Sequence, residues 1–462
     1  MSFSRKKNYF NFAMLPVIFS LAWPTMLEQL MQTAVQYADT IMVGTLGTAA
    51  TAAVGSTTTV NWLVGSSLSA LGVGFLSYIS QAFGAGEKER ARKAVSQSVL
   101  VCLISGSFFT VLTLVMSPFI PRLMQVDGEI ADTASRYFFI LYSPMLFRTA
   151  NIIFGTVLRS AGDTKTPMRV GLIVNAVNVV LNFLLIYPTR QVSLFSLSIK
   201  VYGADMGVEG AAAASAAAFV TGGILITAAL LRHPLLSPRG QSIKPDREVL
   251  APCLRVALPN MLQRFCTSLG YVFFASMINS LGSISTAAHT VANTVESAFY
   301  IPGYGMQTAA ATLTGNAVGA GDAKRLQEMS RMTVLCEIVL MIISGGLLFS
   351  LSAQMMTLFS KDAEVILLGA TVLKMVALSE PFYGVSIVTE GMLQGAGKTL
   401  YPFVFNVICM WGVRILGTFI CINILGMGLV SAWGCMIANN MLLLVMFRIY
   451  YRFAFKNGGF HL

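Results

Sequence analysis

Apolar residues come in long blocks separated by short polar stretches. The blocks recur near residues 14 to 43, 54 to 81, 95 to 118, 134 to 158, 169 to 188, 208 to 231, 254 to 281, 286 to 313, 332 to 353, 366 to 393, 403 to 425 and 428 to 451. Each is about as long as the roughly 20 residues a helix needs to cross bilayer hydrocarbon, so the pattern predicts twelve membrane spans. The first carries a polar stripe. In WPTMLEQLMQTAVQYADTIMVGTLG, Trp23 to Gly47, residues Glu28, Gln32, Gln36 and Asp39 stand at i, i+4, i+8 and i+11. At about 100° per residue they share one face roughly 80° wide. A carboxylate at mid-membrane costs on the order of 3 kcal/mol, so this face is expected to line a cavity and handle a proton, ion or substrate.

Other spans carry polar lines of their own. On the fifth, Asn175, Asn178 and Asn182 fall at i, i+3 and i+7, where three amides can donate to a carboxylate or coordinate a hard cation through oxygen. His289, Asn293, Glu296 and Tyr300 share a face of the eighth span, and Tyr383 and Glu390 a face of the tenth. Arg264 on the seventh span and Arg414 on the eleventh are available to neutralise Glu296 or Glu390. Paired in that way the acids are structural or gating elements; unpaired they contact substrate, and both readings stay open.

The first half repeats in the second at a constant offset of 235. Pro24, Met26, Leu27, Leu46 and Gly47 match Pro259, Met261, Leu262, Leu281 and Gly282; Gly84, Ala85, Gly86 and Arg90 match Gly319, Ala320, Gly321 and Arg325. Leu158, Ala161, Gly162, Thr164 and Pro167 match Leu393, Ala396, Gly397, Thr399 and Pro402. A gapless register of this length marks duplication. Six spans per copy make the repeats parallel, which is a transporter architecture. The expected lobes are 1–232 and 251–462, joined by a cytoplasmic linker, 233–250, read as a tether. Gly44 and Gly47, and Gly84 and Gly86, are read as helix stops. Asp39 corresponds to Phe274, Glu28 to Gln263, and the three asparagines to Met410, Val413 and Gly417. The fold therefore does not need these polar groups, which favours function.

Composition agrees with a membrane protein: of 462 residues 55% are hydrophobic and 11% charged. The net charge of +11 would suit nucleic acid, but the basic residues crowd alternate linkers, among them Arg5, Lys6 and Lys7, then Lys88, Arg90, Arg92 and Lys93, then Arg232, Arg239, Lys244 and Arg247. By the positive-inside rule they place both termini in the cytoplasm and leave no case for nucleic acid. Seven scattered cysteines and histidines only at 233, 289 and 461 suggest neither disulfides nor a metal cluster. No cofactor is expected, and no nucleophile and base constellation supports an enzyme. The 25 Met and 30 Phe suit loosely selective binding of flat cations.

The first-span segment, the loop QAFGAGEKERARKA with its partner GNAVGAGDAKRL, and the pair LRSAGDTKTP and LQGAGKTLYP together resemble the multidrug and toxic compound extrusion (MATE) transporters. The resemblance covers essentially the whole chain. It implies an all-α polytopic membrane protein with twelve helices in two six-helix lobes around a V-shaped cavity. It also implies export of cationic or amphipathic small molecules in exchange for protons or sodium ions, from a bacterial inner membrane and as a monomer. Carried over from the family's N-lobe cation site, the coupling residues are Asp39, Asn178, Asn182, Ser215 and Tyr137. Some members have aspartate in place of Asn182 and threonine in place of Ser215. With one acid in the cage, H+ is preferred to Na+ bound at Asp39, Asn178 and Asn182, and the acid common on the seventh span of sodium-dependent members is missing around Arg264. Glu28, Gln32, Gln36, Asn175, Arg264, His289, Asn293, Glu296, Tyr300, Tyr383 and Glu390 are the substrate or gating candidates. The alternative is a flippase for a lipid-linked precursor, which needs an arginine-rich cavity; only Arg148, Arg264 and Arg414 lie at membrane depth.

Overall fold

The computed structural model describes residues 11–123, 128–194 and 197–456. Arg5, Lys6, Lys7 and His461 lie outside them. A short 3-10 turn leads into α1 (Leu15–Gly44), followed by α2 (Thr48–Gly84), α3 (Lys88–Met116), the single turn α4 (Ile120–Leu123), α5 (Gly128–Tyr142), α6 (Met145–Ser160), α7 (Lys165–Leu185) and α8 (Gly207–Arg232). The second half holds α9 (Arg247–Asn279), α10 (Ser283–Gly319), α11 (Ala323–Phe359), α12 (Ala363–Ala377), α13 (Glu380–Gly395), α14 (Leu400–Val407), α15 (Leu416–Phe419) and α16 (Leu429–Lys456). Two π-helical segments, Ile408–Ile415 and Ile420–Ile424, flank α15 and carry the eleventh span between α14 and α16. An antiparallel hairpin of β1 (Pro188–Leu194) and β2 (Leu197–Ala204) joins α7 to α8, an addition to an otherwise all-α polytopic protein.

Each predicted span meets a helix. Among the described residues eight helices are long and apolar enough to cross a membrane, and two bent pairs raise this to ten. The remaining two, α9 and α10, are 33 and 37 residues long. Polar residues such as Asn260, Gln263, Asn293 and Glu296 reduce their apolarity without shortening them. The bent pairs are the fourth and tenth spans, where α5 and α6 meet at 50° and α12 and α13 at 56°. Pro144 and Pro381 stand at equivalent breaks, where an imino nitrogen cannot continue the helical ladder.

Backbone conformation repeats as faithfully as the sequence. Gly47 and Gly282 take φ of 110° and 100°, and Gly86 and Gly321 take 76° and 65°, a region that L side chains avoid. Gly84 ends α2 as expected and also sets a crossing. A Cβ on Gly84 would strike the carbonyl oxygen of Asn316, and one on its repeat partner Gly319 would strike that of Gln81. Gln81 and Asn316 are themselves equivalent, so α2 and α10 cross symmetrically with their backbones in contact. Ser77 Oγ and Gln81 Nε2 fasten the crossing by donating to the Gly395 carbonyl of α13, at 3.1 and 2.9 Å.

By packing, the chain divides into two compact units. One contains residues up to Gln29, Leu76–Glu87 and Pro252 onward; the other contains Leu30–Phe75 and Lys88–Ala251. The division follows the duplication except in α1 and α2. In the first unit, Ile18, Leu21 and Ala22 of α1 join a core with Met306, Leu313, Val388 and Phe447, while Trp433 is fully buried in a second core with Phe274 and Val295. The other unit centres on Phe138, Tyr142 and Met145, with the Phe138 and Tyr142 rings stacked 4.2 Å apart.

Within that second unit the polar linker after α8 is strapped to the first turns of α3 and is not a loose tether. Arg92 donates to the carbonyls of Ser237 and Arg239 at 3.3 and 3.0 Å, Ser96 to that of Ser242 and Gln97 to that of Lys244, both at 2.9 Å. Lys93 pairs with Asp246. That ammonium, with backbone N–H donors of Glu248 and Val249, holds the Asp246 carboxyl below the usual carboxylate range. At the other end burial pushes the His233 imidazole below its ordinary value, against the pull of Asp163 at 4.0 Å. The basic residues of GEKERARK thus serve the linker as well as topology.

The crossing leaves no room for a side chain. Gly84→Val and Gly319→Val should each destabilise the protein by about 3 kcal/mol or more, lowering the melting temperature in detergent. Gly412→Ala, where an added Cβ meets nothing within 4 Å, should leave it unchanged.

Candidate functional site

The polar groups expected on the first, fourth, fifth and sixth spans converge in one unit. Asn178 and Asn182 are one turn apart on α7, so their amides stack, and Asn182 Nδ2 donates to Asn178 Oδ1 at 3.1 Å. Asn178 Nδ2 passes the chain on to Ser215 Oγ on the Ala-rich α8, also at 3.1 Å. At the other end Asn182 Nδ2 donates to Asp39 Oδ1 on α1. Tyr137 of α5 is buried within electrostatic reach of Asp39. All five residues carried over from the resemblance therefore gather around one carboxyl group.

This arrangement has a chemical direction. The amides present N–H to the acid, and Asn182 Oδ1 is buried without a partner. An amide that donates to a carboxylate stabilises it, and one whose other atom is orphaned gains by turning over when the acid takes up a proton. The oxygens available to a cation, from Asp39, Asn178, Asn182 and Ser215, are the kind a hard ion takes. Asn175, the third residue of the predicted face, is half-buried, and its side chain makes no hydrogen bond among the described residues. Gln32 and Gln36 are exposed on α1, and Glu28 falls in the other unit.

Near this chain sits a half-buried guanidinium that the sequence offered only as one of three arginines at membrane depth. Arg148 Nη1 donates to Asn61 Oδ1 at 2.6 Å, and the cation lies 4.9 Å from the Phe219 ring. Its charge is thus spread over an amide and a π face.

In the other unit the sequence candidates separate into different environments. Glu390 is held by three amides: Gln263 Nε2 at 3.0 Å, Gln394 Nε2 at 3.1 Å and Asn406 Nδ2 at 3.4 Å. Of the two readings left open for Glu390, the arginine pairing is not the one seen among the described residues: amide donors satisfy its oxygens without adding charge. Arg414 lies over the rings of Tyr271 and Phe274 at 4.7 and 4.2 Å and is within electrostatic reach of Glu296, with no ion pair between them among the described residues. Arg264 is half-buried, and Asn293 is exposed. His289 is set edge to face between Phe274 and Trp433, at 5.6 and 5.9 Å, as a packing element. Tyr300 and Tyr383 meet edge to face at 5.7 Å, and Tyr383 shares a hydroxyl contact of 3.3 Å with Tyr304. Two buried acids, Glu337 of α11 and Glu380 of α13, escaped the sequence reading. Each is a lone carboxylate in or at the edge of an apolar run, and that was the signal available.

A duplicated bundle of spanning helices, with isolated carboxyls caged by amides at membrane depth, defines a multi-pass transporter. The chain belongs to the MATE family: the MatE family model matches residues 24–184 and 259–420, one match in each half. Probable multidrug resistance protein NorM of Thermotoga maritima is 28% identical over 443 residues, which is 95% of this chain and 93% of that one. Probable multidrug resistance protein YoeA of Bacillus subtilis is 25% identical, covering 94% and 92%. Among solved structures, an outward-facing multidrug resistance MATE family transporter of the MOP superfamily is similar with a TM-score of 0.88 at 24% identity, over 96% of both chains. A MATE in complex with MaD3S gives 0.87 at 24% identity, also over 96% of both.

If Asn182 is the donor that holds Asp39, Asn182→Ala should cost about 1 to 3 kcal/mol by leaving a charged acceptor unpaired. Asn175→Ala, which breaks no such bond, should stay within about 0.5 kcal/mol. Thermal unfolding of the two variants in the same detergent checks the pair.

Proposed function

We propose that this protein is a secondary active antiporter that exports cationic or amphipathic drugs in exchange for protons. The observation that carries the reading is the lone carboxyl of Asp39 at the end of the amide and hydroxyl chain from Ser215 through Asn178 and Asn182. The names of the relatives, multidrug resistance proteins in both Thermotoga maritima and Bacillus subtilis, support drug efflux. The single acid in the amide and hydroxyl cage supports H+ over Na+.

The cycle follows from the charge on one group. Asp39 takes a proton from outside, the Asn182 amide loses its charged acceptor and reorients, and the altered chain favours the state with low drug affinity. Release of the proton to the cytoplasm restores the ionised acid and the drug-binding state. Coupling of this kind requires only that drug and proton bind the two states with different affinity. Each unit of pH gradient supplies about 1.4 kcal/mol per proton, enough for a tenfold drug gradient, and each 100 mV about 2.3 kcal/mol per charge moved. The positive-inside pattern supports both termini in the cytoplasm of an inner-membrane protein.

The flippase reading calls for arginines free to meet a phosphate. Arg148 is committed to Asn61 and Phe219, and Arg414 to Tyr271 and Phe274, which leaves Arg264 alone of the three and does not make an arginine-rich cavity.

Asp39→Asn should insert and fold normally yet lose ethidium export from proteoliposomes under an imposed pH gradient. Export by this variant at the wild-type rate would sink the proposal. Wild-type export driven by a sodium gradient at equal pH would replace the proton with sodium.

A further inference from the structure

Nothing in the spacing of the seven cysteines pairs any two of them, yet the fold brings two together. Cys421 lies in the π-helical segment Ile420–Ile424 that ends the eleventh span, and Cys435 lies on α16. Their Sγ atoms are 3.8 Å apart, a contact in which either thiol can donate to the other. Both residues are half-buried, whereas Cys102, Cys253 and Cys409 are buried. Both belong to the same compact unit, the one that contains Pro252 onward.

The eleventh span builds the seat for this contact. A Cβ on Gly417 would come within 3.1 Å of the Cys435 sulfur, so bare backbone makes the hollow in which that sulfur lies. Thr418, the next residue of α15, is fully buried, and its Oγ1 makes no hydrogen bond among the described residues. That hydroxyl lies beside Cys435, where its O–H can turn to a Cys435 thiolate. The backbone of Cys421 is fixed as well, because its carbonyl accepts the Met427 N–H at 2.8 Å across the turn at Gly426, whose φ is 63°. The scaffold does not require the pair: the offset of 235 sets Asn182 opposite Gly417 and Ile186 opposite Cys421.

Packing accounts for one cysteine in such a place, since a thiol behaves as a small apolar group. It does not call for two half-buried thiols in contact. A thiolate attacks a disulfide sulfur to give a mixed disulfide, and a second thiol within reach resolves it. With no atom between the two sulfurs, Cys435 is in reach of whatever becomes bonded to Cys421. The π-helical winding around Cys421 is itself an uncommon geometry that concentrates at functional sites. Location agrees with this chemistry. The basic residues that place both termini in the cytoplasm put the turn between the last two spans on the outer face. Cys435 lies about 9 Å along α16 from its first residue, Leu429, and Arg448 and Arg452 stand towards the far end. The pair therefore sits near the face on which disulfides form and persist.

We propose that Cys421 and Cys435 are a redox-active thiol pair, oxidised by exchange with a small-molecule disulfide on the outer face, and that the resulting disulfide clamps the end of the eleventh span to α16. The Cys421 thiolate attacks one sulfur of the small disulfide, the S–S bond breaks, and one small thiol leaves. The Cys435 thiolate then attacks Cys421 Sγ of the mixed disulfide and expels the second small thiol. The two protons lost by the protein thiols end on the two released thiols, and the two electrons lost by the protein reduce the small disulfide. The pair is independent of the efflux reading, and only the face from which it reacts rests on the cytoplasmic placement of the termini.

The test uses the full-length protein in right-side-out membrane vesicles, with glutathione disulfide as the probe. After an acid quench and alkylation of the remaining thiols, mass spectrometry of wild type should show a peptide cross-linked between Cys421 and Cys435 that dithiothreitol removes. C435S should instead accumulate a glutathione adduct on Cys421, and C421S should leave Cys435 largely free. C421A and C435A replace the serine variants if those do not yield monodisperse protein. Amide hydrogen exchange over residues 420–427 should slow in the oxidised protein and recover on reduction, with no such change in C421S/C435S. Absence of the cross-linked peptide under conditions that modify Cys421 in C435S overturns the proposal, as does a cross-link of Cys421 to another cysteine. Unchanged exchange in the cross-linked protein overturns the clamp, and cross-linking from inside-out vesicles alone overturns the outer face. Failure of the efflux reading looks different: the fully reduced protein would export no ethidium while the cross-link result stood.

Discussion

Hydrocarbon cannot solvate a peptide group, and the rest of this structure follows from that constraint. Each span must close its backbone hydrogen bonds internally, so the chain crosses as helices. Polar side chains at depth then have chiefly one another as partners. Glu390 inside its ring of three amides and Asp39 at the end of its asparagine chain are two solutions to one problem. Both use amides, which satisfy a carboxyl without fixing its charge. An arginine in their place would lock the acid ionised, whereas an amide leaves it free to take and release a proton.

Duplication shows which features belong to the scaffold. The kinks at Pro144 and Pro381, the left-handed glycines at 47 and 282 and at 86 and 321, and the glycine crossing at 84 and 319 occur in both halves. They make the bundle. The acids do not repeat: Asp39 faces Phe274 across the duplication, and Glu296, Glu337 and Glu380 face Asn61, Cys102 and Met145. Two copies of one scaffold have thus diverged in charge while keeping shape.

The periodic apolar runs made the spans legible, with the weakest signal in α9 and α10, where polar residues interrupt the run. The Asp39 cluster was legible in part. Helical spacing put Asn178 and Asn182 on one face, but only the resemblance brought in Ser215 and Tyr137 from other helices. The spacing of one helix carries no information on which neighbour it meets. The same limit explains why the amides around Glu390, on three different elements or turns, could not be named from spacing alone. The bends at 143–144 and 378–379 are invisible to hydropathy, which runs straight across them, and Glu380 owes its environment to one of those bends. Gly84 looked like a helix terminator because its sequence setting is one. Its steric role appears only with Asn316 against it. The linker looked loose because polar composition predicts exposure, and exposed carbonyls can still be held by side chains of α3.

That strapped linker bears on how the chain can be divided. Because Asp246 is tied to Lys93 and its N–H to Gln97, the stretch from His233 to Asp246 travels with the first half up to the start of α9. The packing boundary then falls inside a continuous helix, between Ala251 and Pro252, where a proline removes one rung of the ladder. Genetic splitting into two co-expressed fragments, or grafting a reporter between them, would therefore leave the clamp intact only if the join came after residue 246. The polar segment that looks most permissive is the worse place to cut.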